Sequence, residues 1–312
     1  MAVLNTGLAK TSAGGGAEAG PGDWNGDRGV FGGGAAPWAN NTIDYITISS
    51  PSDATDFGNL VEGRYDLSAC SDGTRGVFGG GFNNGTQPMD YITIGSTSSA
   101  TNFGAMNVDR SNSSGLSNAT RGLFGGGTTL WTDAIDYITI STAADAQDFA
   151  NLVSEKSKTG ACSGSTRGVF GGGYFNKKEM DYVTIATLAD AQDFGDLAYV
   201  RDSLAGCSNT TTGIFGGGGY GNDDAGWGNT EIIEYITIDT LGDATDFGDM
   251  STERTATGCA SDGTKAVFGG GGPSAASTVD VIEYVVIDTT GDAVDFGDLT
   301  VSRQRLAGCS GD

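Results

Sequence analysis

An all-β fold, a closed ring of six four-stranded blades, is what the sequence predicts, on three observations. Phe-Gly-Gly-Gly occurs six times, beginning at Phe31, Phe78, Phe124, Phe170, Phe215 and Phe268, and the mean spacing of about 47 residues falls in the range of propeller and solenoid units. Every unit carries the same four short pieces in the same order, in the second unit 64–71, 74–81, 89–94 and 100–104. No stretch of the chain shows a helix-length apolar period.

Each piece reads as a strand for its own reason. The first opens on a basic residue and runs into small residues and cysteine, which suits the innermost position. The second is an apolar run ended by the glycines. The third reads Asp-Tyr-Ile-Thr-Ile at Asp44, Asp90 and Asp136, with close variants at Asp181, Glu234 and Glu283; β-branched and aromatic residues apolar on both faces suit a strand packed between two neighbours. The fourth carries one aromatic, Phe57, Phe103, Phe149, Phe194, Phe247 or Phe296. Asp72-Gly73 and Asp262-Gly263 mark hairpins between first and second strands. The order also predicts the closure. The chain enters on a second strand, 29–34, and leaves on an unpartnered first strand, 303–310, which should complete the first blade beside Val30 and remove two open edges.

These residues resemble kelch-type repeats over 24–312, with Phe where that family usually has Trp in the fourth strand. The wording Asp-Ala-Thr-Asp-Phe-Gly-Asp, then Gly-Cys-Ser, then Arg-Gly-Val-Phe-Gly-Gly-Gly also resembles repeat proteins of marine tailed phages. That resemblance implies a virion protein exposed to the exterior, with the cytoplasm or a cell surface as alternative locations. Residues 1–23, rich in Gly, Ala and Ser with Pro21, read as a flexible arm that docks the propeller, 24–312, onto other virion or tail proteins. The early apolar run is too short for a secretory signal, and no transmembrane run is present.

Composition narrows the chemistry. Among 312 residues there are 54 Gly and no His, so His-based nucleophile activation and His-ligated zinc or copper are excluded. A net charge of -23 disfavours nucleic acid and anionic lipid as partners. Most charges fall in repeat columns. The basic columns are Arg64, Arg110, Lys156, Arg201, Arg254 and Arg303, and Arg28, Arg75, Arg121, Arg167 and Lys265, with Thr212 in the sixth place. The acidic columns are the third-strand residues above, then Asp53, Asp145, Asp190, Asp243 and Asp292, then Asp56, Asp148, Asp193, Asp246 and Asp295. A charge present once per blade reads as a staple, because an active site needs its residues once. Cys70, Cys162, Cys207, Cys259 and Cys309 read as one column of buried thiols, with Leu116 in the sixth place, and equivalent places on neighbouring blades are not expected to offer disulfide geometry. Calcium is the one cofactor considered, at Asp243 with Asp246 or Asp292 with Asp295 beside turns.

Function is expected where the repeat breaks its pattern, in the connections from second to third strand. Trp38, Phe82, Trp131, Tyr174, Phe175, Tyr220 and Trp227 lie there, all on one face of the disc and opposite the arm. Aromatics among amides and carboxylates suit stacking on sugar rings. The expectation is a non-enzymatic recognition module binding a host-surface glycan or protein. The alternatives are a structural virion cap or decoration, and a carboxylate-dependent polysaccharide-degrading enzyme using Asp223 and Asp224. An Asp-box pattern is missing, since Asp72 and Gly73 are adjacent, and a copper site of the galactose-oxidase kind lacks its histidines.

Overall fold

The structure is a computed structural model describing residues 26–82, 88–128, 132–175, 177–222, 226–274 and 277–312. Six four-stranded antiparallel sheets and one two-stranded sheet account for its strands, with no helix among the described residues. The molecule is a six-bladed β-propeller. Blade 2 runs Ser68–Ser71, Arg75–Gly79, Pro88–Thr93 and Thr101–Ala105 from the axis outward. Blade 1 is composite: Ala307–Gly311 lies innermost beside Arg28–Gly32, with Cys309 opposite Val30, followed by Thr42–Thr47 and Thr55–Asn59. The closure expected from the order of pieces is the one observed.

The Phe-Gly-Gly-Gly motif is the joint between blades. The first glycine receives the phenylalanine of the next blade: a Cβ on Gly32 would lie 2.6 Å from the Phe78 ring and one on Gly79 2.9 Å from the Phe124 ring. The second takes a positive φ, +66° at Gly80, where a Cβ would lie 2.6 Å from the Arg110 carbonyl oxygen. Neither place admits a side chain. The third glycine donates its N–H to that same carbonyl, Gly34 to Arg64 at 2.9 Å and Gly81 to Arg110 at 3.1 Å, and the contact recurs in all six blades. The apolar clusters straddle these joints, so Val30 and Phe57 of blade 1 share a core with Phe78 and Ile92 of blade 2. Each fourth-strand Phe meets its own blade's Tyr edge-on, as Phe57 does Tyr45 at 6.0 Å between ring centroids.

The charge columns are structural. The first basic column pairs within its own blade with the third-strand acid, in buried ion pairs of 2.8 Å for Arg64–Asp90, 2.9 Å for Arg110–Asp136 and 2.8 Å for Arg303–Asp44. Lys156–Asp181, Arg201–Glu234 and Arg254–Glu283 complete the set. The remaining donors cap strand ends, Arg110 Nη1 reaching the Gly126 and Ala134 carbonyls at 3.0 and 2.7 Å. The second column bridges blades. Arg75 lies over its own Tyr91 ring at 4.3 Å and donates to the Ile140 carbonyl of blade 3 at 3.1 Å; Arg28, Arg121, Arg167 and Lys265 do the same. At the outer rim the Asp243 and Asp292 carboxylates accept the N–H groups of Asp196 and Asp249 in the preceding blades.

Two belts run around the axis. On the face of the first-to-second turns, Ser117 donates its hydroxyl to the Ser71 carbonyl at 2.8 Å, Ser163 to Ser117 at 2.7 Å, Ser208 to Ser163 at 2.8 Å and Ser71 to Ser310 at 2.7 Å. The second belt lies on the other face and is made by main chain.

One expectation about the cysteines is corrected. Strand register puts Ala260, opposite Val267, in the place of Cys70, opposite Val77. Cys259 is therefore one residue out of the column, and a one-residue shift turns a strand side chain to the other face. Cys207 faces forward toward blade 6, Cys259 faces back toward blade 5, their Cα atoms are 6.0 Å apart, and they form a disulfide. The thiols of Cys70, Cys162 and Cys309 remain free and buried, and burial pushes all three up from the ordinary thiol range. The disulfide occupies the joint where Thr212 replaces the bridging cation.

Replacing Arg64 with Met should strand the Asp90 carboxylate and lower unfolding free energy by about 3–5 kcal/mol, measured by urea titration. The unreduced protein, denatured, should titrate three thiols per chain, and Cys207→Ser should cost about 2–4 kcal/mol in the same assay. Five titrating thiols would contradict the bridge.

Candidate functional site

The segment entering each first strand carries a staple residue, one spacer, and then a residue in the left-handed conformation. These six residues are Asp66, Asn112, Lys158, Ser203, Ala256 and Arg305, with φ between 55° and 61°. Each donates its backbone N–H to the carbonyl of its equivalent in the preceding blade: Asn112 to Asp66, Lys158 to Asn112, Ser203 to Lys158, Ala256 to Ser203, Arg305 to Ala256 and Asp66 to Arg305, at 2.7 to 3.0 Å. The circle of six hydrogen bonds is closed. It forms the floor of an axial funnel of about 630 Å³, walled by Tyr174, Asp202, Asn229, Thr255 and Gln304. That volume lies within the range of small-molecule sites.

Backbone repetition at this circle is complete, and its side chains differ in every blade. Lys158 and Arg305 stand three steps apart around the circle, hence on opposite sides of the axis. Each is backed by an aromatic pair. Lys158 Nζ lies 4.8 Å over Tyr174, which packs on Phe175 at 4.7 Å; Arg305 lies 5.6 Å over Tyr65, which packs on Phe82 at 5.3 Å. Both are within cation–π range. Arg305 also approaches the Asp66 carboxylate at 3.6 Å. Burial pushes the Asp66 carboxyl up from its usual range, offset in part by the Arg305 and Lys158 charges and the Asn112 amide. Ser203 donates its hydroxyl to Asp202 at 2.7 Å, and the Asn112 amide donates to the Thr128 hydroxyl at 3.1 Å.

Of the rim residues expected from sequence, Tyr174 lines the funnel. Phe82 and Phe175 pack behind the two cations while staying 53% and 64% exposed, and Trp38 is exposed on the loop of blade 1. Tyr220 faces a second cavity of about 510 Å³, shared with Tyr199, Glu231 and Glu253. Trp227 contributes backbone to the hairpin Gly219–Asn222 with Gly226–Asn229, pairing with Gly221. Trp131, Asp223 and Asp224 lie outside the described residues, as does the arm 1–23. Asp243, Asp246, Asp292 and Asp295 are exposed, and no three His, Cys, Asp or Glu residues converge on a metal position among the described residues.

The funnel circle was missed from sequence, although a signal existed. Two residues after the conserved-looking staple the repeat changes charge from blade to blade, Asp66 to Lys158 to Arg305. Compared with known proteins, the chain matches no protein-family model and no curated protein.

With its folded value raised above the unfolded one, near 4, Asp66 stabilises the fold most below about pH 4, and this contribution is lost as pH rises through the raised value. The melting temperature of wild type relative to Asp66→Asn should therefore be most favourable at acid pH and decline toward neutrality. A difference that stays flat or rises with pH contradicts the assignment.

Proposed function

We propose that the chain is a non-enzymatic recognition module whose loop-bearing face binds a surface glycan. One observation carries the reading: a backbone circle built identically six times displays six different side chains into a funnel of about 630 Å³. Structural positions in this chain repeat their side chains, whereas the funnel varies them, as a surface selected for a ligand does. Amides, hydroxyls, carboxylates and the Tyr174 ring are the groups that hydrogen-bond and stack on sugars. The second cavity, with Tyr199 and Tyr220 beside Glu231 and Glu253, offers a further place for an extended chain.

The resemblance of the repeat wording to proteins of tailed phages supports a place on the virion. Residues 1–23 would then attach the disc, and the funnel face would meet the host. Gly26, where the described chain begins, lies against Gly311, on the face opposite the funnel, which suits this polarity.

The purified chain should bind members of a glycan panel, and Tyr174→Ala should weaken binding by roughly 3- to 10-fold through lost stacking with an unchanged melting temperature. Bound oligosaccharide should be recovered at its original length. Shortened products would favour the polysaccharide-degrading alternative, and no binding to any panel member would favour a structural cap.

A further inference from the structure

The basic residues separate into two populations. Of 16 Lys and Arg in a chain of net charge -23, the two columns engage eleven in ion pairs or carbonyl bridges. Among the others, Lys10 lies outside the described residues, Lys177 donates to the Ser154 hydroxyl at 3.3 Å, and Lys178 pairs with Asp196 at 3.0 Å on the surface. The last two, Lys158 and Arg305, meet at the funnel from opposite sides. In a protein this acidic, two cations flanking the axis and backed by aromatic pairs form a local site for a negative charge.

Resting on the recognition reading above, we propose that the funnel binds an acidic saccharide, its carboxylate held between Lys158 and Arg305 and its hydroxyls by Asp66, Asp202, Asn112 and Ser203. The Arg305–Asp66 separation of 3.6 Å is longer than a hydrogen bond, so an incoming carboxylate takes guanidinium N–H donors without displacing one from Asp66. Arg suits this task because its planar fork matches a carboxylate. The aspartates select the rest of the ligand: a carboxylate accepts from sugar hydroxyls and repels a second acid group. A sugar with one acid per unit fits better than an acidic peptide, because among the described residues Ala256 and Pro273 are the only aliphatic side chains lining the funnel, which leaves no pocket there for an apolar peptide anchor.

Calorimetric titration with tri-galacturonic acid and sialyllactose, against the galacturonate methyl ester and lactose, tests this. The acids should bind and the neutral counterparts should bind at least about tenfold more weakly. Lys158→Asn and Arg305→Asn, chosen because Asn tolerates positive φ, should each reduce acid binding about tenfold to a hundredfold, as expected for a lost charged hydrogen bond. Lys178→Gln, a surface cation outside the funnel, should leave it unchanged. Equal binding of ester and acid, or full acid binding in correctly folded funnel variants, overturns the acid assignment and leaves glycan recognition standing. Should either variant fail to fold, the acid-against-ester comparison on wild type decides alone. Binding of poly-glutamate in place of the saccharides overturns the sugar assignment, and no binding of any saccharide or peptide overturns the recognition reading with it.

Discussion

How closely one blade can lie on the next governs this structure, and glycine sets that distance. At each joint a phenyl ring occupies the space of one missing Cβ, and a carbonyl oxygen occupies that of the next. A methyl group at either place would push two blades apart. Because the ring is closed, a displacement at one joint must be taken up by the others, and the circle of backbone hydrogen bonds at the funnel has little slack to give. The high glycine content, which in an open chain would favour disorder, is here the condition for packing.

Charge follows the same logic. The first basic column and the third-strand acids neutralise one another inside a blade, while the second basic column and rim aspartates such as Asp243 bridge neighbouring blades, so they hold connections that have no strand partner. Leaving one member of a buried ion pair alone would bury an uncompensated charge. The joint between blades 5 and 6 departs from the rule: Thr212 cannot reach across, Ala266 replaces the small residue that elsewhere faces a thiol, and the Cys207–Cys259 disulfide ties the joint instead. A covalent link stands where the electrostatic one is missing.

The sequence makes the architecture legible because each structural requirement recurs six times. Blade number, strand order and the pairing of Val30 with Cys309 follow from repetition and edge protection alone. The staple columns are legible for the same reason, since a basic residue like Arg64 and a third-strand acid like Asp90 recur in every unit. Two features are not. Cys259 sits one residue from the column it resembles, and only strand register reveals which face it takes. The funnel circle lies outside the strands, and its defining property is a backbone angle shared by Asp66, Lys158 and Ala256, residues with nothing in common as side chains. Tyr174, Phe82 and Phe175 are legible as aromatics in loops that break the repeat, whereas Lys158 and Arg305, which they back, lie in a segment that looks like ordinary repeat sequence.

The closed circle at the funnel also bears on how such a protein can diversify. Its six hydrogen bonds are made by main chain only, so the bonds themselves do not depend on which side chain each position carries. The left-handed conformation still restricts the alphabet, and none of the six residues present is β-branched. Within that limit, the side chains facing the funnel can change one blade at a time while the architecture is inherited intact. In the proposed recognition role, the circle separates the side chains that would meet a ligand from the main chain that holds the ring together.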